Sequence, residues 1–205
     1  MNDSDHTGDS TANFIFWNIS GFDNKIDDTD FISYLKRFTI IGLTETWMKD
    51  TDVNHILPDY ISVCKPAEKL SHHGRLSGGI MVLIKKDIAK FIKWSKISTN
   101  SIFILFDKAL FGYDKDLLYS CAYVHPETST WYDQTHVTYK NGVNIFQEDL
   151  LDIITSHPTV HILCGGDFNA RTSDSADFVE DTIIEHTEGD NHSTYDFILD
   201  YFNMA

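Results

Sequence analysis

The residues with the most chemistry to offer lie in Leu163-Cys164-Gly165-Gly166-Asp167-Phe168-Asn169-Ala170-Arg171. A short apolar run, Val160 to Leu163, precedes them and reads as a buried strand, with the glycines letting the backbone turn where that strand stops. Asp167 and Asn169 are two residues apart, so in extended backbone their side chains leave on the same side. A proton-accepting carboxylate then stands beside a carboxamide that both donates and accepts, a pair suited to a metal-bound water and a phosphate oxygen. The same Gly-Asp-x-Asn run also makes an ordinary turn, because Asp, Asn and Gly dominate turns. Three further polar residues stand at the ends of apolar runs. Asn18 closes Ala12 to Ile19 beside Ser20-Gly21, where it also reads as a turn asparagine. Glu45 follows Thr39 to Thr44 directly, and a carboxylate at the tip of a buried strand is costly unless it is paired or metal-bound. Tyr123 ends Leu117 to Val124, as a phenol among strand ends or as an amphipathic core tyrosine. His72-His73 has no further ligand at helical or hairpin spacing and reads as a loop.

The elements that must position these groups are mostly short and apolar. Ala12 to Ile19, Thr39 to Thr44, Tyr60 to Cys64, Ile80 to Ile84, Ile102 to Phe106, Leu117 to Val124 and Val160 to Leu163 all read as strands. Ile102 to Phe106 and Leu117 to Val124 read as antiparallel neighbours across the turn at Gly112-Tyr113-Asp114-Lys115. Asp28 to Phe38 reads as an amphipathic helix. Asn144 reads as the cap of a second helix to about Ser156, and Ser193-Thr194-Tyr195-Asp196 as the start of a last one. Strands that are wholly apolar need cover on both faces, which predicts two facing sheets with the Asn144 helix outside one of them.

At 205 residues and 42% apolar content the chain supports one domain with a real core. Residues 1–12 are polar and acidic and read as a disordered tail. Cys64, Cys121 and Cys164 lack metal-ligand spacing and read as reduced core residues of an intracellular protein, with no disulfide partner. No apolar run approaches the length of a membrane span. The net charge of −15 is awkward for nucleic-acid binding, but half of the 16 basic residues fall between Lys65 and Lys96. That cluster reads either as a phosphate-facing region or as an ordinary solvated face.

The stretches WNISG (17–21), LTETW (43–47), RLSGGIMVLIKK (75–86), AYVHP (122–126) and GGDFNAR (165–171), in that order, resemble the endonuclease/exonuclease/phosphatase superfamily, which has the DNase I-like fold. The likeness covers about residues 13–203 and is greatest to the apurinic-type endonuclease domains of non-LTR retrotransposons. It implies an α/β (α+β) four-layer sandwich of two facing sheets flanked by helices. It also implies hydrolysis of nucleic-acid phosphodiesters, DNA in particular, assisted by Mg²⁺ or Mn²⁺. Glu45 becomes the principal metal ligand, with Asn18 holding the neighbouring site. Asp167 orients or deprotonates the attacking water, Asn169 binds phosphate, and Tyr123 donates to the phosphate or leaving oxygen. Arg75 and Arg171 become substrate-binding candidates. The resemblance further implies a terminal Ser-Asp-His motif, and none follows the last apolar stretch before Ala205. The expectation is therefore a C-terminally truncated domain of impaired activity, from a parent element that carries a reverse transcriptase. A non-catalytic remnant, or a phosphatase or lipid phosphodiesterase of the same superfamily, is the alternative.

Overall fold

The computed structural model describes residues 12–49, 53, 55–69, 74, 76–126, 129–134 and 142–169. The chain divides into two units, Met1–Phe168 and Asn169–Ala205, and of the second only Asn169 is described. Among the described residues the first unit holds ten strands. Four of them, β1 (Phe14–Asn18), β2 (Ile40–Thr44), β3 (Tyr60–Lys65) and β6 (Ile80–Lys85), make one sheet in the order β1-β2-β6-β3. β7 (Ile92–Ile97), β8 (Ser101–Phe106), β9 (Asp116–Tyr123) and β10 (Val160–Asp167) make a second, in the order β10-β9-β8-β7. β4 (Glu68–Lys69) and β5 (Leu76–Ser77) form a small separate pair.

Period-two side-chain alternation sorts the strands into layers. Ile40, Ile80, Val82 and Ile84 of the first sheet share one buried cluster with Ile102, Ile104, Phe106, Leu117, Tyr119 and Cys121 of the second, so the two sheets face each other. The intervening residues Ile41, Leu43, Met81 and Leu83 turn outward and pack with Phe31 and Leu35 of α1 (Thr29–Leu35). Asp28 caps that helix, its carboxylate accepting from the backbone N–H of Asp30 at 2.9 Å and of Phe31 at 3.1 Å. On the other side Phe103 stacks on Phe146 of α3 (Gly142–Ser156) with centroids 5.8 Å apart. Helix, sheet, sheet and helix give the four-layer sandwich expected from the sequence.

Some boundaries differ from expectation. β10 does not stop at the glycines but runs through them to Asp167, paired in parallel with β9 from Val160↔Asp116 to Asp167↔Tyr123. α3 begins at Gly142, so Asn144 lies inside the helix and does not cap it. β7 was not legible, because Ile92 and Trp94 alternate with Lys93, Ser95 and Lys96 on a half-exposed edge strand. The described basic residues between Lys65 and Lys96 do not all share one face. Lys85 ends β6 opposite Tyr60, at the far end of the sheet from Thr44. Lys93 pairs with Asp116 at 2.8 Å and Lys96 with Asp149 at 3.4 Å. The helix expected to start at Ser193 lies outside the described residues. The three cysteines are free thiols. No described helix is long and apolar enough to cross a membrane.

Candidate functional site

Strand direction decides which ends meet. β1 and β2 run parallel, with Asn18 opposite Thr44, and Glu45 follows Thr44 at once. β9 and β10 run parallel in the other sheet, with Tyr123 opposite Asp167. Two hydrogen bonds then join the sheets at this end. Asn18 Nδ2 donates to Asp167 Oδ2 at 2.6 Å, across 149 residues of sequence. The Tyr123 hydroxyl donates to Glu45 Oε1 at 2.8 Å. Asn18 is held in turn by Ser20, whose backbone N–H donates to Asn18 Oδ1 at 3.1 Å. Four of the residues singled out in the sequence are thus brought together. Asn169 is not extended as expected: its φ is 46°, a left-handed conformation in which the same-side argument with Asp167 no longer holds. Arg75 and Arg171 lie outside the described residues, as do His72 and His73.

Glu45 is held in an unusual backbone state. Its φ is 52° and that of Trp47 is 55°, in the left-handed region that costs a side-chain-bearing residue about 1–2 kcal/mol. The loop is pinned from two sides. Thr46 N–H donates to Gly79 O at 3.3 Å and Trp47 N–H to Gly78 O at 3.1 Å, while Gly21 N–H donates to Glu45 O at 2.8 Å. Gly79 has φ +88°, and a Cβ there would run into the Thr46 hydroxyl and Ala67. Residues in such strained states persist only where their surroundings over-determine them, and they cluster at functional sites. In the sequence Gly78-Gly79 stood within RLSGGIMVLIKK, just ahead of the Ile80 to Ile84 strand, with nothing to mark this role.

Next to Tyr123 lies a wall the sequence did not reveal. The Tyr123 ring meets the His125 ring edge-on with centroids 4.8 Å apart, and His125 stacks on Trp131 of α2 (Trp131–Gln134) at 4.5 Å. Trp131 Nε1 donates to Glu68 at 3.2 Å, and Lys65 Nζ lies 2.9 Å from the same carboxylate. Burial is the largest single influence and works to raise the Glu68 carboxyl, but the hydrogen bond and charge of Lys65 together with the hydrogen bond from Trp131 outweigh it and hold the group below its usual range. Burial, helped by the Lys65 charge, pushes His125 from 6.5 down to about 4, so the ring is neutral at pH 7.

That shift has a readable consequence. Between pH 6.5 and about 4 the unfolded chain protonates this histidine while the folded chain does not. Its contribution is complete above pH 6.5 and is lost as pH falls towards about 4, by at most about 3 kcal/mol. Urea unfolding across that window is expected to lose stability less steeply for His125→Gln than for the native chain. Parallel pH profiles would show that the histidine is not the source.

Glu45, Asp167 and the Asn18 carboxamide are hard oxygen donors, the type that Mg²⁺ and Mn²⁺ take. Among the described residues no group of three or more His, Cys, Asp or Glu side chains gathers into a closed metal cage. Glu45 and Asp167 are the carboxylates that a magnesium-type cation, which keeps several of its waters and takes one or two carboxylates, would use here.

Comparison with solved structures shows the same fold elsewhere. An AP endonuclease from Leishmania major superposes with a TM-score of 0.54 at 14% identity, over 80% of this chain and 56% of that one. The human Nocturnin catalytic domain, solved with a bound sulfate anion, superposes with a TM-score of 0.50 at 13% identity, over 79% of this chain and 65% of that one. The chain thus spans less than two thirds of the length of either. No curated protein matches it in sequence. The family description that does match, Endonuclease/Exonuclease/phosphatase family, extends over residues 15–199 and so takes in every strand but the first residue of β1. With both sheets and the Asn18, Glu45, Tyr123 and Asp167 ends inside that match, the chain belongs to the Endonuclease/Exonuclease/phosphatase family.

Proposed function

We propose that the chain is a Mg²⁺- or Mn²⁺-assisted phosphodiesterase domain acting on nucleic acid, of the kind carried by non-LTR retrotransposons, with DNA as its substrate. The observation that carries this reading is the pair of cross-sheet hydrogen bonds, Asn18 to Asp167 and Tyr123 to Glu45, at one end of the sandwich. Glu45 and Asn18 would hold the cation, which neutralises charge as it develops on the phosphate. Asp167, fixed by Asn18, accepts a proton from the attacking water. Tyr123 presents a phenolic O–H, a neutral donor suited to a phosphate or leaving oxygen. Asn169 is the remaining candidate for a phosphate contact, as a carboxamide donor.

The test is nicking of supercoiled plasmid at fixed salt, since affinity for a polyphosphate depends steeply on it. Nicking that needs Mg²⁺ or Mn²⁺ and falls at least about a hundredfold in Asp167→Asn is the expected result. Nicking indifferent to Asp167 and to chelator would sink the assignment. The net charge of −15 favours the second reading, a smaller phosphoester such as a phosphomonoester or a lipid phosphodiester. Turnover of such esters with no nicking would select it.

A further inference from the structure

Tyr123 is the last residue of β9. Its backbone is held on both sides: Tyr123 N–H donates to Asn100 O at 2.8 Å, and Val124 N–H to Asp167 O at 2.8 Å. A fixed backbone still leaves the ring its side-chain torsions. The hydroxyl sits at the far end of that ring, so a small turn carries it away from Glu45, to which it donates at 2.8 Å. Something other than the strand has to hold the ring.

Two surfaces do so. Period-two spacing puts His125 on the side of Tyr123, and the two rings meet at an interplanar angle of 77° with centroids 4.8 Å apart. The second surface is the backbone of Gly78. A Cβ added there would lie 3.4 Å from the Tyr123 ring and 3.5 Å from the His125 ring. Gly78 O also accepts from Trp47 N–H, one of the bonds that pin the Glu45 loop. One turn thus touches the loop that carries Glu45 and the corner where the Tyr123 and His125 rings meet.

His125 can serve as a fixed wall because it is clamped in turn. Its ring lies on Trp131 at 4.5 Å and 11°, and both residues are buried. Trp131 Nε1 is tied to Glu68 at 3.2 Å, and Glu68 to Lys65 at 2.9 Å. The backbone of His125 is held as well, its carbonyl accepting from the Tyr132 hydroxyl at 2.6 Å. That hydroxyl accepts from Gly142 N–H at 2.9 Å, at the start of α3. The His125 ring is neutral at pH 7, so it offers Tyr123 a surface and not a charge.

We propose that His125, backed by Trp131 and Glu68, is a positioning residue for the reaction, holding the Tyr123 phenol where its hydroxyl reaches Glu45 and the phosphate beside it. This role rests on the phosphodiesterase reading of Tyr123 and deepens it by naming what preorganises the donor. Preorganisation matters because a donor displaced by about 1 Å can cost up to a hundredfold in rate.

The test has a spectroscopic arm that needs no turnover. In the 205-residue chain labelled with ¹³C at tyrosine Cζ, the Tyr123 signal is the one lost in Tyr123→Phe. Glu45→Ala gives the position of that signal when the phenol has lost its acceptor. In His125→Leu the signal is expected to move towards the same position. In His125→Phe, which keeps a ring for Trp131 to stack on, it should stay near its native place. Plasmid nicking should fall about tenfold in kcat for His125→Leu with KM unchanged, and the substitution should cost nothing further in a chain that already carries Tyr123→Phe. A Tyr123 signal unmoved by His125→Leu overturns the proposal. So does equal displacement in His125→Phe and His125→Leu, or the same loss of kcat with and without the phenol. Should His125→Leu fail to fold, Glu68→Ala takes its place, at a carboxylate whose side chain is 46% exposed. Releasing Trp131 Nε1 should move the signal in the same direction, and an unmoved signal there is equally fatal. Failure of the phosphodiesterase reading shows separately, as nicking indifferent to Asp167.

Discussion

Replacing Glu45 with glycine is expected to abolish divalent-cation binding while leaving the fold as stable as before. Glu45 sits at φ 52°. A side chain in that region costs about 1–2 kcal/mol, which glycine does not incur. What the substitution removes from stability is the 2.8 Å hydrogen bond from the Tyr123 hydroxyl, with a net worth of about 1 kcal/mol. The two nearly cancel. Glu45→Ala loses the same hydrogen bond but keeps the strain, so it should be less stable than Glu45→Gly by about 1 kcal/mol. Both remove the carboxylate, and hydrolysis should fall by at least about a hundredfold to a thousandfold in each. Mn²⁺ titration followed by paramagnetic broadening reports the cation, and urea midpoints report the stability. If Glu45→Gly and Glu45→Ala were equally stable, the left-handed backbone would not be under strain. If both still bound Mn²⁺ as the native chain does, Glu45 would not be its ligand.

The strands were legible because most are apolar throughout, and a run such as Ile40 to Thr44 has no solvent face to confuse the pattern. The site was legible for a related reason. A polar residue at or shortly beyond the end of such a run, as with Asn18, Glu45 and Asp167, lies where the sheet ends. That these ends would meet required the order of strands in two sheets, which spacing alone does not contain. The resemblance supplied it. Local pattern misled where a tertiary constraint overrode it. Gly165-Gly166 looked like the end of a strand, yet pairing with Cys121 and Ala122 carries β10 through both to Asp167. Asn169 looked like the partner of Asp167 on extended backbone, and its φ of 46° shows the strand geometry already lost. Asn100 could not be singled out at all. In sequence it is one more asparagine after Ser98-Thr99, and the bond from its Nδ2 to Gly142 O reaches 42 residues on. His125 stood in the sequence as part of AYVHP, and nothing in that stretch announces that Trp131 will stack on it. A Ser4-Asp5-His6 tripeptide does occur in the chain, ahead of β1 and outside the described residues.

Gly166→Ala is expected to be the most damaging single methyl that can be added near the site. Gly166 has φ +132°, a conformation that residues with a Cβ rarely adopt, which alone costs on the order of 1–3 kcal/mol. The added Cβ would also land on the backbone of Ala122, its carbonyl oxygen nearest. A backbone atom in a paired strand cannot swing aside as a side chain does, so overpacking adds roughly 1–3 kcal/mol more. Together about 3 kcal/mol or more would be lost, a large share of the roughly 5–15 kcal/mol that holds a domain folded. The strain would be relieved by moving β10 away from β9. That motion breaks the 2.8 Å bond from Val124 N–H to Asp167 O and pulls Asp167 from Asn18. Gly112→Ala is the control. Gly112 also has a positive φ, +65°, but nothing lies within 4 Å of the added methyl, so only about 1–2 kcal/mol is at stake. Urea unfolding should therefore show a small drop in midpoint for Gly112→Ala and a collapse for Gly166→Ala. The residual folded fraction of the latter should bind Mn²⁺ more weakly, since Asp167 has been displaced. Equal midpoints for the two variants would mean that β10 does not press against β9 at Gly166, and the placement of Asp167 beside Tyr123 would fall with it.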